Sequence, residues 1–170
     1  MLAELIIERR KRLNLSQPEL ARRSGISRAR IGDLERGKGL LGLERTEGLA
    51  SALGVQQRQL IELVMQGWLE DAEIDYKVKV RAKKVRPVNT GEALKKLRLD
   101  SGVSLRAMAR ALEVSAPRVV ELERGRKLIT PLTAWYYADA LGVDHKQWVR
   151  TALQDAVHRK CGAGFEVRVS

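Results

Sequence analysis

Residues 15–38 read "LSQPELARRSGISRARIGDLERGK" and predict two short helices joined by a tight turn. Ser16 and Glu19 have the spacing of a capping box, with a proline in the first turn, so a helix is expected to begin at Ser16. Gly25 suits the left-handed position that ends a helix. Ser27 is then placed to cap a second helix that runs to about Arg36. The stretch therefore predicts a helix, a turn and a second helix.

The chain repeats this unit 88 positions later. Its end, "LERGK" at residues 34–38, returns as "LERGR" at residues 122–126. Residues 10–55 align with residues 98–143 without a gap, and 16 of these 46 positions are identical, which indicates two copies of one architecture. Five apolar pairs keep their character and are predicted core positions: Leu15 and Val103, Leu20 and Met108, Ile26 and Val114, Ile31 and Val119, Leu41 and Ile129.

Further helices are expected on both sides of the unit. An earlier helix in each copy carries Arg10 or Arg98 near its end, and residues 43–53 form a helical pattern that Gly54 stops. In the second copy the equivalent helix begins at Thr130, with Pro131 in its first position. Residues 60–69 and 148–157 add a fifth amphipathic helix to each copy, which either packs on its own domain or forms a subunit interface.

Two short segments alternate apolar and charged residues. They read "YKVKV" at 76–80 and "FEVRV" at 165–169, which predicts strands with one buried face. We expect the two strands to pair with each other, either within the chain or across a dimer. Lys83, Lys84, Arg86 and Pro87 form a basic linker. The predicted division is a first domain at 1–75, strand and linker at 76–89, a second domain at 90–160 and a C-terminal strand at 161–170.

The charge points to a polyanionic partner. The chain has 32 Lys and Arg against 21 Asp and Glu, a net charge of +11, and both halves are basic. One cysteine, no secretory signal and no long apolar run favour a soluble, cytoplasmic protein associated with the nucleoid and not with a membrane. His145 and His158 stand alone and no phosphate loop or nucleophile motif is present, so no enzyme activity, catalytic residue, metal or cofactor is expected.

The unit resembles the helix-turn-helix of the phage-repressor and Cro family, also called the XRE type. Gln17, Gly25, Ser27 and the "ERG" that starts at Glu35 match the family pattern in order. The resemblance covers residues of about 3–66 and 91–154. It implies a mainly α protein, with two tandem repressor-like helix-turn-helix bundles, each followed by a short β-strand.

The resemblance also implies roles for individual residues. The start of the third helix enters the major groove, and Arg30 and Arg118 are suited to read guanine. The alternative for each arginine is an ordinary solvated surface charge. The expected base contacts are Gln17, Arg28, Ala29, Arg30, Ala116, Pro117 and Arg118. The expected phosphate contacts are Arg10, Ser16, Ser27, Arg36, Lys38, Arg98, Arg106, Ser115, Arg124, Arg126 and Lys127. Glu35 and Glu123 are expected to clamp the recognition helix to helix one by pairing with Arg10 and Arg98.

The second copy departs from the pattern at two positions. Leu105 replaces Gln17, and Glu113 replaces Gly25 in the turn. The second copy is therefore expected to be the weaker reader, or a packing module that no longer reads DNA.

These features favour a sequence-specific regulator of transcription that binds double-stranded DNA, expected to form a homodimer. Two alternatives remain open from the sequence. One is an antitoxin-type interaction protein that binds its own promoter and contacts a protein partner through the strands. The other is a plasmid or phage architectural protein with little sequence preference. The target sequence, and whether the protein represses or activates, are not determined by these residues.

Overall fold

The computed structural model describes residues 1–170 and contains ten α-helices, one 3₁₀ turn and two β-strands. The first copy comprises α1 (Leu2–Arg12), α2 (Gln17–Ser24), α3 (Arg28–Glu35), the 3₁₀ turn (Leu43–Arg45), α4 (Thr46–Leu53), α5 (Gln57–Asp71) and β1 (Val78–Ala82). The second comprises α6 (Thr90–Asp100), α7 (Leu105–Ala111), α8 (Ala116–Glu123), α9 (Pro131–Ala140), α10 (His145–Cys161) and β2 (Phe165–Val169). The predicted fold class, two helical bundles each followed by a strand, is confirmed. No helix is both long and apolar enough to cross a membrane.

The helices begin and end where the sequence signals lie. Ser16 caps α2 in a full capping box, since its hydroxyl oxygen accepts from the Glu19 amide at 3.3 Å and the Glu19 carboxylate accepts from the Ser16 amide at 2.8 Å. Gly25 ends α2 with a φ of 68°. The Ser27 hydroxyl oxygen accepts from the Arg30 amide and caps α3. These local interactions fix the angle at which α3 leaves the turn.

Each copy has a core built from equivalent positions. The core of the second copy contains Leu94, Met108, Ala109, Val119, Leu122, Ile129, Ala134, Tyr137 and Ala152. In the first copy, Ile6, Leu20, Ile31, Leu34, Leu41, Leu49 and Val64 stand at seven of these nine positions and are also buried. The predicted matching is wrong at one pair, because Ile26 is 6% exposed whereas Val114 is 37% exposed. Val103 is also only partly buried.

β1 and β2 pair with each other inside the chain. They form a two-stranded antiparallel ribbon in which Val78 lies opposite Val169 and Val80 lies opposite Val167. β1 begins at Val78, two residues later than expected, and it extends to Ala82. Tyr76 lies outside the strand, and its ring lies 5.8 Å from the ring of Trp135 in α9. Of the two pairings expected from the sequence, the structure has the one within the chain.

The ribbon relates the two copies by an approximate two-fold rotation. Segments 76–80 and 165–169 repeat at an offset of 89 residues, which makes Lys79 and Arg168 equivalent, and these two residues lie opposite each other. The pairs on either side, Val78 with Val169 and Val80 with Val167, then exchange under the rotation.

Two glutamines fasten the ribbon in equivalent ways. Gln66 in α5 donates to the Tyr76 carbonyl at 3.2 Å and accepts from the Val78 amide at 3.0 Å. Gln154 in α10 donates to the Phe165 carbonyl at 2.9 Å and accepts from the Val167 amide at 2.8 Å. The same side chain thus holds each strand on the fifth helix of its own copy.

The fifth helices also join the two copies. Val149, Leu153, Ala156 and Val157 of α10 belong to one continuous cluster with the core of the first copy. α10 contacts the 3₁₀ turn of the first copy, and α5 contacts the equivalent region, α9, of the second. The copies are therefore packed against each other through buried apolar surface, and the division at residues 75 and 90 stays a prediction.

Candidate nucleic-acid interface

The N-terminus of α3 presents a short exposed surface. Arg28 and Ala29 are exposed, and no ion pair involves Arg28. Arg30 is partly buried, because its guanidinium turns back and donates to the carbonyl of Leu40 in the loop after α3. Of the three expected base contacts here, two project freely and Arg30 lies against the protein.

The N-terminus of α8 presents a different surface. Pro117 and Arg118 are exposed and Ala116 is partly buried. The Arg118 guanidinium lies 3.3 Å from the Glu121 carboxylate, in a pair whose side chains are 44% and 45% exposed. Because the pair is so exposed, it holds Arg118 only weakly.

A charged clamp joins α1 to the end of α3. Nε of Arg10 donates to Glu35 at 2.5 Å and Nη2 donates to the second carboxylate oxygen at 3.0 Å, while Nη1 donates to the Leu15 carbonyl at 2.9 Å. Gln17 adds a third donor to Glu35 at 2.8 Å. The hydrogen bond from Arg10 lowers the pKa of Glu35 below its usual value, although burial opposes the shift. The carboxylate is thus held charged.

The second copy has the same clamp in a more buried setting. Arg98 donates to the two Glu123 oxygens at 2.6 and 2.9 Å and to the Val103 carbonyl at 2.7 Å. Its side chain is 5% exposed and that of Glu123 is 4% exposed, against 16% and 8% for Arg10 and Glu35. Tyr137 of α9 supplies the third donor through its hydroxyl. Burial and the hydrogen bond to Glu123 raise the pKa of Tyr137 far above its usual value, so the phenol remains the donor.

One expected phosphate contact, Arg98, is buried in this structure and stays untested. Arg98 is 4% exposed, and Nε, Nη1 and Nη2 each donate to a protein oxygen. The equivalent Arg10 is more exposed but has the same three bonds. Gln17, expected at a base, is partly buried and its amide nitrogen donates to Glu35. These residues hold the helix pair together in this structure.

The other expected phosphate contacts all lie on the surface and stay predictions. They are Ser16, Ser27, Arg36, Lys38, Arg106, Ser115, Arg124, Arg126 and Lys127. Arg36 is also bonded to Asp33 at 2.8 Å.

Sequence reasoning missed two features of this surface. The first is Tyr137, whose only signal is that it stands where the first copy has the apolar Leu49. The second is an acidic residue at the same position of each recognition helix, Asp33 in α3 and Glu121 in α8, each paired with a nearby arginine.

Comparison with protein families identifies the repeated unit. Residues 6–56 match the family model described as "Helix-turn-helix", and residues 90–148 match the one described as "Helix-turn-helix domain". The chain carries two tandem helix-turn-helix domains of the phage-repressor and Cro type. Between them the two matches cover more than half of the chain, and the resemblance inferred from the sequence is confirmed. No match was found among curated proteins or among solved structures.

The helix-turn-helix domains make this a protein that binds double-stranded DNA, of a kind that typically regulates transcription and is typically not an enzyme. In the first domain α2 and α3 form the helix-turn-helix pair, and in the second α7 and α8 do so. No group of three or more His, Cys, Asp and Glu side chains is arranged to hold a metal ion.

Proposed function

We propose that one chain binds one DNA site in the way that two repressor subunits bind a palindrome. The N-termini of α3 and α8 enter successive major grooves, with their centres about 34 Å apart along the duplex. Because the two helices differ in sequence, the site has two unequal halves. The protein acts as a sequence-specific regulator of transcription.

The observation that carries this proposal is the approximate two-fold relation between the domains. A duplex presents equivalent grooves that are related by two-fold axes, so a reader needs the same symmetry to place two recognition helices in them. Here the ribbon, whose approximate two-fold axis passes through the Lys79 and Arg168 pair, supports that symmetry inside one chain, as do the equivalent bonds of Gln66 and Gln154.

Base reading is assigned to the exposed starts of α3 and α8. Arg28 and Arg118 project freely enough for bidentate hydrogen bonds to guanine. Arg30 reaches a base by exchanging its hydrogen bond to the Leu40 carbonyl for one to DNA, a small cost because the bond is exposed. Ala29, Ala116 and Pro117 line the same surface and offer apolar contact to a thymine methyl.

Phosphate contacts position these helices. Ser16, Ser27 and Ser115 lie at helix N-termini, where backbone amides attract anions. Cationic side chains follow each recognition helix or lie in α7: Arg36, Lys38, Arg106, Arg124, Arg126 and Lys127.

A single chain per site is preferred to the homodimer expected from the sequence. The strands and the fifth helices were the candidate dimer interfaces, and both are used within the chain. The same strands were the candidate protein contact of an antitoxin-type regulator, so that alternative loses its specific support.

The test is selection of binding sites from random duplex DNA. Wild type is expected to enrich a site with two unequal halves, one turn of the helix apart. Arg28→Ala and Arg30→Ala should relax preference in one half, and Arg118→Ala in the other. Lys160→Ala, which removes an exposed lysine far along α10, is the matched control. No enrichment, or unchanged preference in all three variants, would contradict the proposal.

A footprint combined with the mass of the complex in solution tests the stoichiometry. We expect one chain on a protected region of about 20 base pairs with defined edges. Two chains per site would support the homodimer that was expected from the sequence. Protection that spreads along the duplex would indicate an architectural protein instead.

A further inference from the structure

The most basic segment of the chain lies outside both helix-turn-helix pairs. Residues 77–86 read "KVKVRAKKVR" and contain six cationic residues and no acidic one. The whole chain has a net charge of +11, so these ten residues carry more than half of the excess. Neither the reading of bases nor the clamps use any of them.

The strand geometry places three of these six charges on one side of the ribbon. Val78 and Val80 are 3% and 5% exposed and face α5, whereas Lys77, Lys79 and Arg81 alternate with them and are exposed. Side chains two residues apart on one strand face are separated by about 6.8 Å. The result is a regular row of cations, continued by Lys83.

The second strand adds to the same surface. Arg168 lies opposite Lys79 in the ribbon, and its side chain is 50% exposed. We call the surface formed by Lys77, Lys79, Arg81, Lys83 and Arg168 the basic ribbon face. Its Lys79 and Arg168 pair lies on the approximate two-fold axis, and its other three residues lie in or beside β1.

Two carboxylates partly balance this face. Glu62 pairs with Lys79 at 3.1 Å, and Glu166 pairs with Lys83 and Arg168 at 3.0 Å each. These two cations hold the pKa of Glu166 below its usual value. Lys77 and Arg81 form no ion pair. The excess positive charge of the face is therefore unbalanced within the protein.

A polar depression adjoins the row. It has a volume of about 390 Å³ and is lined by Gln56, Arg58, Gln59, Glu62, Lys79 and Arg81 among others. Two arginines and two amides in one concave surface suit an oxyanion, because they offer several hydrogen-bond donors to it.

We propose that the basic ribbon face binds the phosphate backbone of duplex DNA, as a sequence-independent contact separate from the two recognition helices. The inference rests on the proposed function, since it assumes that DNA is the partner. Two strands with cations on one face present a row of donors to phosphates, and each phosphate that is neutralised releases counterions. The ribbon then raises affinity without changing which sequence is selected.

The test compares two variants with the same change in charge. The ribbon variant carries Lys77→Gln, Lys79→Gln and Arg81→Gln. The control carries Lys95→Gln, Lys96→Gln and Lys160→Gln, three exposed lysines outside the ribbon that form no ion pair. Circular dichroism melting checks that both remain folded, and the single variant Arg81→Gln replaces the triple variant if it does not.

The measurement is the slope of the logarithm of the binding constant against the logarithm of salt concentration. Each lost phosphate contact lowers the slope by about 0.9, so the ribbon variant is expected to lose about 2 to 3 and the control far less. Wild type and ribbon variant should select the same site. The inference is overturned if the ribbon variant has the same slope as the control variant. It is also overturned if the ribbon substitutions change the slope on RNA duplexes but not on DNA.

Two DNA lengths and a non-specific duplex separate the possible outcomes. A change already present on a duplex of about 20 base pairs places the ribbon within the site, and a change only on longer DNA places it on a flanking or second segment. If wild type selects no motif, the proposed function fails, yet the two variants still differ on non-specific duplex if the ribbon binds phosphate. The proposed function and the phosphate contact of the basic ribbon face can therefore be refuted independently of each other.

Discussion

Tyr137 in α9 donates its hydroxyl hydrogen to the Glu123 oxygen that also accepts from Nε of Arg98, whereas Gln17 of α2 donates to the Glu35 oxygen that accepts from Nη2 of Arg10. The two domains thus complete one clamp from different helices. Where the second domain has Leu105 in place of Gln17, it has Tyr137 in place of Leu49. Tyr137 replaces the hydrogen-bond donor that the second domain lacks at Leu105. The presence of Leu105 is therefore not by itself a sign that the second domain has lost DNA binding.

Replacing Tyr137 by phenylalanine should destabilise the second domain. The change removes one hydrogen bond to a buried carboxylate and keeps the ring in the core, so a loss of about 1.5–3 kcal/mol is expected. Gln17→Leu removes the third donor at Glu35 and should cost less, because that clamp is closer to solvent. Urea unfolding monitored by circular dichroism measures both. Equal losses, or no loss in Tyr137→Phe, would contradict this account.

Acid should weaken the first clamp. The pKa of Glu35 is lowered in the folded protein, mainly by the hydrogen bond from Arg10, so the unfolded chain binds a proton more readily than the folded one. The stabilisation is complete above the unfolded pKa of about 4.3 and is lost as the pH falls through the lower folded value. The difference in unfolding free energy between wild type and Glu35→Gln should therefore shrink below about pH 4.

The control for this experiment is Glu47→Gln, which removes an exposed carboxylate of α4 that forms no ion pair. It corrects for the change in net charge alone. A difference between wild type and Glu35→Gln that stays constant down to pH 2 would mean that Glu35 is not held charged by the clamp.

Local signals predicted the helix-turn-helix units because they act over a few residues. Ser16, Ser27 and Thr130 cap helices through their own side chains, and Gly25 ends α2 through its own backbone, so neighbours in sequence suffice. The clamp partners Arg10 and Glu35 came from the family resemblance, since they lie 25 residues apart.

The features that the sequence did not predict depend on contacts between residues that lie apart in the chain. The strand pattern of residues 76–80 gave no reason for β1 to begin at Val78, because the start depends on the register with β2, in which Val78 lies opposite Val169, the last residue of that strand. Tyr137 has the sequence pattern of an ordinary core residue, because its bond to Glu123 joins residues 14 apart in different helices. Arg30 turns to a carbonyl ten residues away, a contact that no periodicity encodes.

Glu113 has a strained backbone conformation, and replacing it by glycine should relieve the strain. It has a φ of 54° in the turn where the first domain has Gly25 with a φ of 68°. A side chain in the left-handed region costs roughly 1–2 kcal/mol, so Glu113→Gly is expected to stabilise the second domain by about 1 kcal/mol. Gly25→Ala should destabilise the first by a similar amount for the same reason, since no atom lies within 4 Å of a Cβ at Gly25. Thermal unfolding measures both, and a lower melting temperature for Glu113→Gly would refute the argument.

The strongest test that α3 and α8 each read one half of the site is to give both helices the same N-terminal sequence. Ala116→Arg with Pro117→Ala changes "SAPR" at the start of α8 into the "SRAR" of α3. The helix should persist, since Ser115 still caps it and alanine replaces proline in the first turn. If α3 and α8 each read one half of the site, the halves selected by this variant should become more alike and the site closer to a palindrome.

Its control is Leu112→Ser with Glu113→Gly, which gives the turn of the second domain the "SG" of the first and changes no residue at the start of α8. That variant should select the wild-type site. Selected sites from all three proteins are compared half by half after alignment. If the Ala116→Arg, Pro117→Ala protein selects the same unequal halves as wild type, α8 does not read bases, and the second domain serves only to pack against the first.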